Sequence, residues 1–372
     1  MKLRAERTEF TDAVSWATRT VGARVTLPAL SGVLLEASEG RLTCRATDLE
    51  VAAEVSIPVE IDEPGRVLLP GRLLAQLVAR FPNAPVQLEG DSDRVEITCG
   101  RATFHVHGMQ VEDFPTLAGP AEDAPRGVLK ADGFARLVAQ VARAASTDDG
   151  RPVLTGVQLD AADGTLTAAA TDSYRLAVRS VAFDEAVDGL ALVPARSLQE
   201  AAKAAGEVGG SVTLVLEEGQ VSFLFGDRRL TTKLIEGSFP NYRALLPDSH
   251  ETVVVVDRAA LVEALQRVAI VAMGQANTPV TLHFGDGSVD LQATNQEMGD
   301  AAEGLPAEIV GEGLSISFNP GFLLAGLEAT GTERIRIELR DGLKPAVLRP
   351  LASDDDQRVD DLTYLLMPMR VS

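Results

Sequence analysis

Aromatic residues are scarce in this chain: they make up 4% of 372 residues, with one tryptophan and three tyrosines. Any core must therefore be built from leucine, valine, isoleucine and alanine. Cysteine is scarcer still. Cys44 and Cys99 fall far short of a disulfide-stapled scaffold and lack the paired spacing of a zinc site, so a reduced, cytoplasmic protein is expected. No run approaches the roughly 18 apolar residues of a membrane span, and the opening MKLRAERTEF has no apolar signal core. Neither a membrane partner nor a cleaved leader is expected. Walker motifs, dinucleotide fingerprints, zinc fingers and RNA-recognition signatures are also missing. Positive charge is in deficit: 34 Lys and Arg stand against 54 Asp and Glu, a net charge of -20. Polyanion binding is driven by Lys and Arg, so a nucleic-acid partner is excluded unless the charge is segregated.

A threefold internal repeat is what the chain does have. The stretch at 30–51 recurs at 154–178 and, more weakly, at 280–300. Its anchor, Ala-Thr-Asp or Ala-Thr-Asn, begins at Ala46, Ala170 and Ala293, at steps of 124 and 123 residues. Other landmarks keep that period. Phe10, Phe134 and Leu261 open apolar helix patterns; Pro70, Pro194 and Pro320 precede or begin a second one; Phe114-Pro115 matches Phe239-Pro240, with Pro368 in the same role. Periods of 20–50 residues signify solenoids. A period near 124 signifies three whole domains of one fold, bounded here at 1–121, 122–248 and 249–372, with short joints at 118–128 and 246–253.

Each copy reads alike. A short extended segment leads into an amphipathic helix, with Phe10, Val14 and Ala17 on one face in the first copy. Two alternating runs follow, bent by turns near Gly40, Gly164 and Gly287. A second helix comes next, with proline at or just before its first turn. Strands at 86–88 and 95–98, 212–216 and 221–225, and 335–339 and 346–348 close the copies. The fold class is α+β: three tandem domains, each with two helices on mainly antiparallel sheet, and each itself a doubled helix-plus-strands motif.

The charge is segregated. The helix windows 9–24, 69–81, 132–146, 195–206, 257–272 and 319–331 together carry +3, leaving -23 for the rest. Inward-facing helices would offer phosphates a loose, sequence-independent, salt-sensitive contact; ordinary solvated helix faces would look much the same.

Candidates for chemistry are thin. His105 and His107, at i and i+2 on an expected strand, face the same way, but no third metal ligand lies near in sequence. Asp48 and Asp172 recur at matching repeat positions, yet Asn295 fills the third. An Asx turn explains all three residues, whereas a catalytic acid does not. Asp354, Asp355 and Asp356 suit either magnesium or, more simply, a solvated loop before the last strand. No cofactor, metal or catalytic residue is expected, although a monomeric peptide-binding scaffold and a hydrolase remain as alternatives.

The three repeats, the motifs at 170–179 (ATDSYRLAVR) and 236–248 (EGSFPNYRALLPD), and the terminal YLLMPMRV together resemble the bacterial sliding clamp, the beta subunit of DNA polymerase III, over the whole chain. The resemblance implies a homodimer of two chains joined head to tail in a six-domain ring. Helices would line its hole around duplex DNA, making it a processivity factor with no chemistry of its own. It implies a groove for linear peptides of the DNA polymerase III alpha subunit, the clamp loader and other clamp-binding-motif proteins. Its lining residues are Leu154, Thr171, Ser173, Tyr174, Arg175 and Leu176, then Pro240, Ala244 and Leu245. Leu343, Leu365, Met367, Pro368, Met369 and Arg370 complete it. Leucine, proline and flexible methionine suit an adaptable apolar groove. The chain departs from the family's best-known pattern at Ser173-Tyr174, which replace glycine and histidine, and at Ala244, which replaces a basic residue. Arg24 and Arg151, with Arg72, Arg196 and Lys203, are the implied DNA contacts. Leu73, Leu74 and Leu77 of the 73–77 helix, with Phe104 and Val106, are implied to meet Ile270 and Val271 across the dimer interface; as plain apolar residues they also suit a core.

Overall fold

The computed structural model describes residues 1–22, 27–117, 119–183, 187–272, 278–351 and 361–370. Their six α-helices are α1 (Arg7–Ala17), α2 (Gly71–Val78), α3 (Ala131–Val141), α4 (Ala195–Val208), α5 (Arg258–Ala272) and α6 (Pro320–Thr330). These are two per repeat. The positions that open the first helix of each copy, Phe10, Phe134 and Leu261, are all fully buried. The three hairpins form at the expected turns. Glu39-Gly40, Asp163-Gly164 and Asp286-Gly287 have positive φ at both central residues, the mirror-image turn whose twist matches that of its flanking strands.

The chain divides into two compact units that cut across the second repeat: residues 1–130 with 207–234, and residues 131–206 with 235–372. The division follows the sheets. In the first unit an eight-stranded sheet begins with four strands of repeat two, Arg126–Lys130, Ser211–Glu217, Gln220–Phe225 and Arg228–Lys233. It continues into Val51–Pro58, Arg41–Thr47, Gly32–Ser38 and Gly65–Pro70 of repeat one. A five-stranded sheet in the same unit ends on Ala102–His107.

In the second unit a nine-stranded sheet runs through Thr165–Thr171 and Arg175–Ala182 of repeat two. It then passes into Leu362–Leu366, Ala346–Leu351 and Arg334–Leu339 of repeat three. A four-stranded sheet ends on Gly299–Pro306. All these pairings are antiparallel. Repeats are therefore welded by strand pairing, and each weld hides apolar side chains on both strands.

Helices pack on one face of these sheets. In the second unit α3 meets α6, where Gln140 Nε2 donates to the Ala329 carbonyl at 2.7 Å and Arg143 to that of Ala325 at 3.2 Å. Gly326 lets α6 press onto the sheet, because a Cβ there would stand 2.6 Å from the Tyr364 ring. In the first unit Arg19, just beyond α1, pairs with Glu207.

Candidate functional site

The same pair of side-chain hydrogen bonds closes the anchor turn in all three copies. Asp172 Oδ1 accepts the amides of Tyr174 (2.9 Å) and Arg175 (3.0 Å). Asp48 Oδ1 accepts those of Glu50 (3.0 Å) and Val51 (2.8 Å), and Asn295 Oδ1 those of Glu297 (2.9 Å) and Met298 (3.2 Å). A side-chain acceptor is all that this turn requires, so asparagine serves as well as aspartate. In repeats one and two the turn also holds a positive-φ residue, Leu49 at 78° and Ser173 at 80°.

The second copy adds ring contacts to this scaffold. Asp172 Oδ2 binds Arg175 Nε at 2.9 Å, and the Arg175 guanidinium lies 4.5 Å from the centre of the Phe322 ring. Tyr174 stacks on the same ring at 6.2 Å. The Met367 amide donates to the Tyr174 carbonyl at 2.9 Å, and the Met369 amide to that of Ser317 at 2.7 Å. The C-terminal segment is thereby fastened beside the turn. Tyr174 stays 59% exposed even so, a large ring held in place but open to solvent.

Beside this turn lies an apolar row. Leu176 pairs with Leu365, and Leu365 with Val347, on three adjacent strands. Side chains alternate along a strand, so Tyr364 points the other way, toward α6, and donates to the Phe322 carbonyl at 3.1 Å. Leu365 and Leu176 instead join Ala169 and Tyr242 in a cluster flanked by Val178, Phe239 and Leu246. Burial holds the Tyr242 hydroxyl above its usual titration range. Arg243 crosses over the Tyr242 ring and binds Asp160 at 2.9 Å. Next to the cluster is a cavity of about 300 Å³ whose apolar side includes Ala244, Leu245, Leu246, Pro345 and Val347 and whose polar side is Asp248, Ser249, His250, Glu338, Arg340 and Lys344.

The expected groove residues thus divide by position. Thr171, Leu176 and Leu365 are buried; Leu245, Leu343 and Met367 are exposed apolar side chains. Pro240, Ala244 and Arg370 are also exposed, while Leu154, Pro368 and Met369 are half-buried. Sequence reasoning passed over Tyr242, Leu246 and Val347. The first two lie inside the motif at 236–248 that drew attention to the region. Val347 is recognised only through its pairing with Leu365.

Of the expected DNA contacts, Arg24 lies outside the described residues. Arg72 and Arg196 are exposed at matching positions of α2 and α4, with Lys203 on the same helix as Arg196. Arg151 is exposed and paired with Asp148 at 2.9 Å. Of the expected dimer contacts, Leu74 and Val106 are buried inside their own unit. They offer no free surface because each points into the core that its own helix or strand covers. Leu73 and Ile270 are exposed, and Leu77, Phe104 and Val271 half-buried.

Among the described residues no three His, Cys, Asp or Glu side chains converge in a way that could hold a metal ion. His105 has Glu96 at 3.6 Å as its ionic neighbour. The aspartate triplet at 354–356 lies outside the described residues. Among those described, no helix is long and apolar enough to cross a membrane.

Comparison with known proteins gives one consistent answer. Family models for the N-terminal, central and C-terminal domains of the DNA polymerase III beta subunit match residues 1–118, 128–241 and 243–370. A beta sliding clamp of Streptomyces coelicolor is 40% identical, with 100% of each chain covered. The crystal structure of the Bacillus subtilis sliding clamp superposes with a TM-score of 0.94 at 27% identity, covering 100% of each chain. That of a Pseudomonas aeruginosa clamp bound to griselimycin gives 0.91 at 30% identity, again covering 100% of each chain. With all three domain models matched in order along its length, the chain belongs to the family of bacterial DNA polymerase III beta subunits, the beta sliding clamps.

Proposed function

We propose that two copies of this chain close head to tail into a ring around duplex DNA and tether polymerase through the groove beside Tyr174. As a family member the chain is a non-catalytic processivity factor in DNA replication. Three domains, bounded near 1–121, 122–248 and 249–372, are the units that the ring counts. The observation that carries the reading is that two sheet edges lack, among the described residues, the partner strand that their repeat equivalents have. Ala102–His107 in repeat one and Gly299–Pro306 in repeat three are open, whereas their counterparts in the other repeats are joined to one another. A head-to-tail contact that closes after two copies satisfies both of these edges at once. The exposed side chains of Leu73 and Ile270, with half-buried Leu77, Phe104 and Val271, then form the apolar part of that contact.

Duplex DNA is the first partner. Arg24, Arg72, Arg151, Arg196 and Lys203 supply a sparse, sequence-independent positive lining, and the acidic remainder repels stray contact. The second class of partner is the linear peptide of the polymerase alpha subunit, the clamp loader and other clamp-binding-motif proteins. The floor of Leu176 and Leu365 accepts bulky apolar side chains, and exposed Met367 and Leu245 adapt around them. The compartment that fits this role is the cytoplasm.

Solution mass by light scattering is the first test. A ring reads about twice the 39.4 kDa of one chain and, once loaded, is retained on nicked circular DNA but runs off linear DNA. A stable monomer at micromolar concentration refutes the ring.

A further inference from the structure

The repeat fixes the residue register of a contact that one chain cannot make alone. In each copy the last strand is anchored by one backbone bond to the strand that leads into the second helix. The amides of Met109, Ile235 and Met369 donate to the carbonyls of Leu68, Leu192 and Ser317. Five residues before those amides stand Phe104, Leu230 and Tyr364. In the two joints within the chain, Leu230 lies opposite Ala53 and Tyr364 opposite Ala177. Those alanines are themselves equivalent, since each faces the alanine of the Ala-Thr anchor: Ala46 faces Ala53 and Ala170 faces Ala177. In the third copy, Ala293 faces Ala301.

On the proposed ring reading, we infer that the strand Ala102–His107 of one copy pairs antiparallel with Gly299–Pro306 of a second in the register Phe104 opposite Ala301, setting His105 against Asp300. Side-chain parity supports the register independently. Phe104 and Ala301 are both half-buried, and His105 and Asp300 are both exposed. All three joints then oppose one bulky side chain to an alanine on the helix side of the sheet.

The outward pair next to it differs between joints. Within the chain it is Thr231 with Ala52, and Leu365 with Leu176. Between copies it is an imidazole with a carboxylate. Glu96 sits on the other side of His105 at 3.6 Å, so a protonated His105 would lie between two carboxylates. The other titratable or charged groups on that face are His107, with Arg94 opposite it, and Glu89, opposite Glu96 and held by Lys2 at 3.0 Å. From the partner strand and the strand behind it, Met298, Ala302 and Thr294 bring no charge. Two joints are thus sealed by neutral pairs, and the one that separates is held by a titratable one. Histidine changes charge between about pH 5 and 8. Protonation adds an attraction present only in the dimer, so the contact tightens as pH falls through that window.

Sedimentation equilibrium of the full chain at pH 8 and pH 5.5 tests this. The dimer constant should tighten about four- to twenty-five-fold at the lower pH, beyond the general loss of negative charge, because the ring's two joints each form one exposed ion pair. His105→Thr, which installs the residue that repeat two carries, and Asp300→Asn should each remove that increment. An unchanged pH response in both variants overturns the clasp. The register has its own test. Thr103→Cys with Ala302→Cys should cross-link two copies on oxidation, whereas Thr103→Cys with Gly304→Cys should not. Cross-linking of the second pair instead of the first overturns the register while leaving the ring intact. A chain that never dimerises at either pH overturns the ring reading itself, and the clasp with it.

Discussion

Replacing Asp172 with alanine separates a structural turn from a working one. Asp172 is 7% exposed and accepts three hydrogen bonds, from the amides of Tyr174 and Arg175 and from Arg175 Nε. Bonds to a charged group contribute about 1.5–3 kcal/mol each, and part of that returns when water reaches the freed amides. A loss of about 2–4 kcal/mol in unfolding free energy is expected, read by urea denaturation.

The second effect is on binding. Without Asp172 the Ser173-Tyr174 turn and the Arg175 guanidinium over Phe322 lose their tether, and the partner must order them. Ordering one residue costs about 1–2 kcal/mol, so peptide affinity should fall about tenfold, read by fluorescence titration of a polymerase-derived peptide. Asp48→Ala is the internal control. It breaks the same two backbone bonds in repeat one but touches no groove residue. It should cost about 1–3 kcal/mol of stability and leave peptide affinity unchanged. Equal losses of affinity in the two variants would refute the reasoning, because the effect would then be general loosening.

The remaining expectations follow from single sites. Burial pushes the Glu338 carboxyl upward, but Arg349 and Arg336 more than offset it, so its folded value lies below the ordinary one. The stability it adds is fully present above the unfolded value of about 4.3 and is lost as pH falls through the lower folded value. Glu338→Gln should therefore flatten the acid limb of a stability–pH curve; an unchanged limb counts against the pairing. Cys44, fully buried with its thiol pushed up to about 12, and Cys99, buried as well, should resist a thiol reagent in the native chain and react together on unfolding. Rapid native labelling of either would contradict the core. Arg72→Ala, Arg196→Ala and Lys203→Ala combined should weaken DNA retention at low salt and less at high salt, measured as residence time on circular DNA. No change at low salt would remove these residues from the DNA-facing surface.

What the sequence determined by itself was whatever depends on local chemistry and on repetition. The period is carried by Ala46, Ala170 and Ala293. The hairpin turns follow from Gly40, Gly164 and Gly287, because a glycine tolerates the positive φ that those turns demand. The Asx role of Asp48, Asp172 and Asn295 follows because all three offer one oxygen to the same two amides. The buried helix faces of Phe10, Phe134 and Leu261 follow from spacing alone.

Tertiary structure decided the rest. Strand order is not written in any local pattern, so the welding of Arg228–Lys233 to Val51–Pro58 and of Arg175–Ala182 to Leu362–Leu366 could not be read from periodicity. The pairing of Ala346–Leu351 with Leu362–Leu366 likewise sets Val347 beside Leu365. The packing of α2 and of the five-stranded sheet within repeat one puts Leu74 and Val106 into the core, where sequence alone left them suited equally to core or interface. An apolar side chain looks the same in sequence whichever surface covers it. Only the covering elements distinguish the buried Leu74 from the exposed Leu73 beside it.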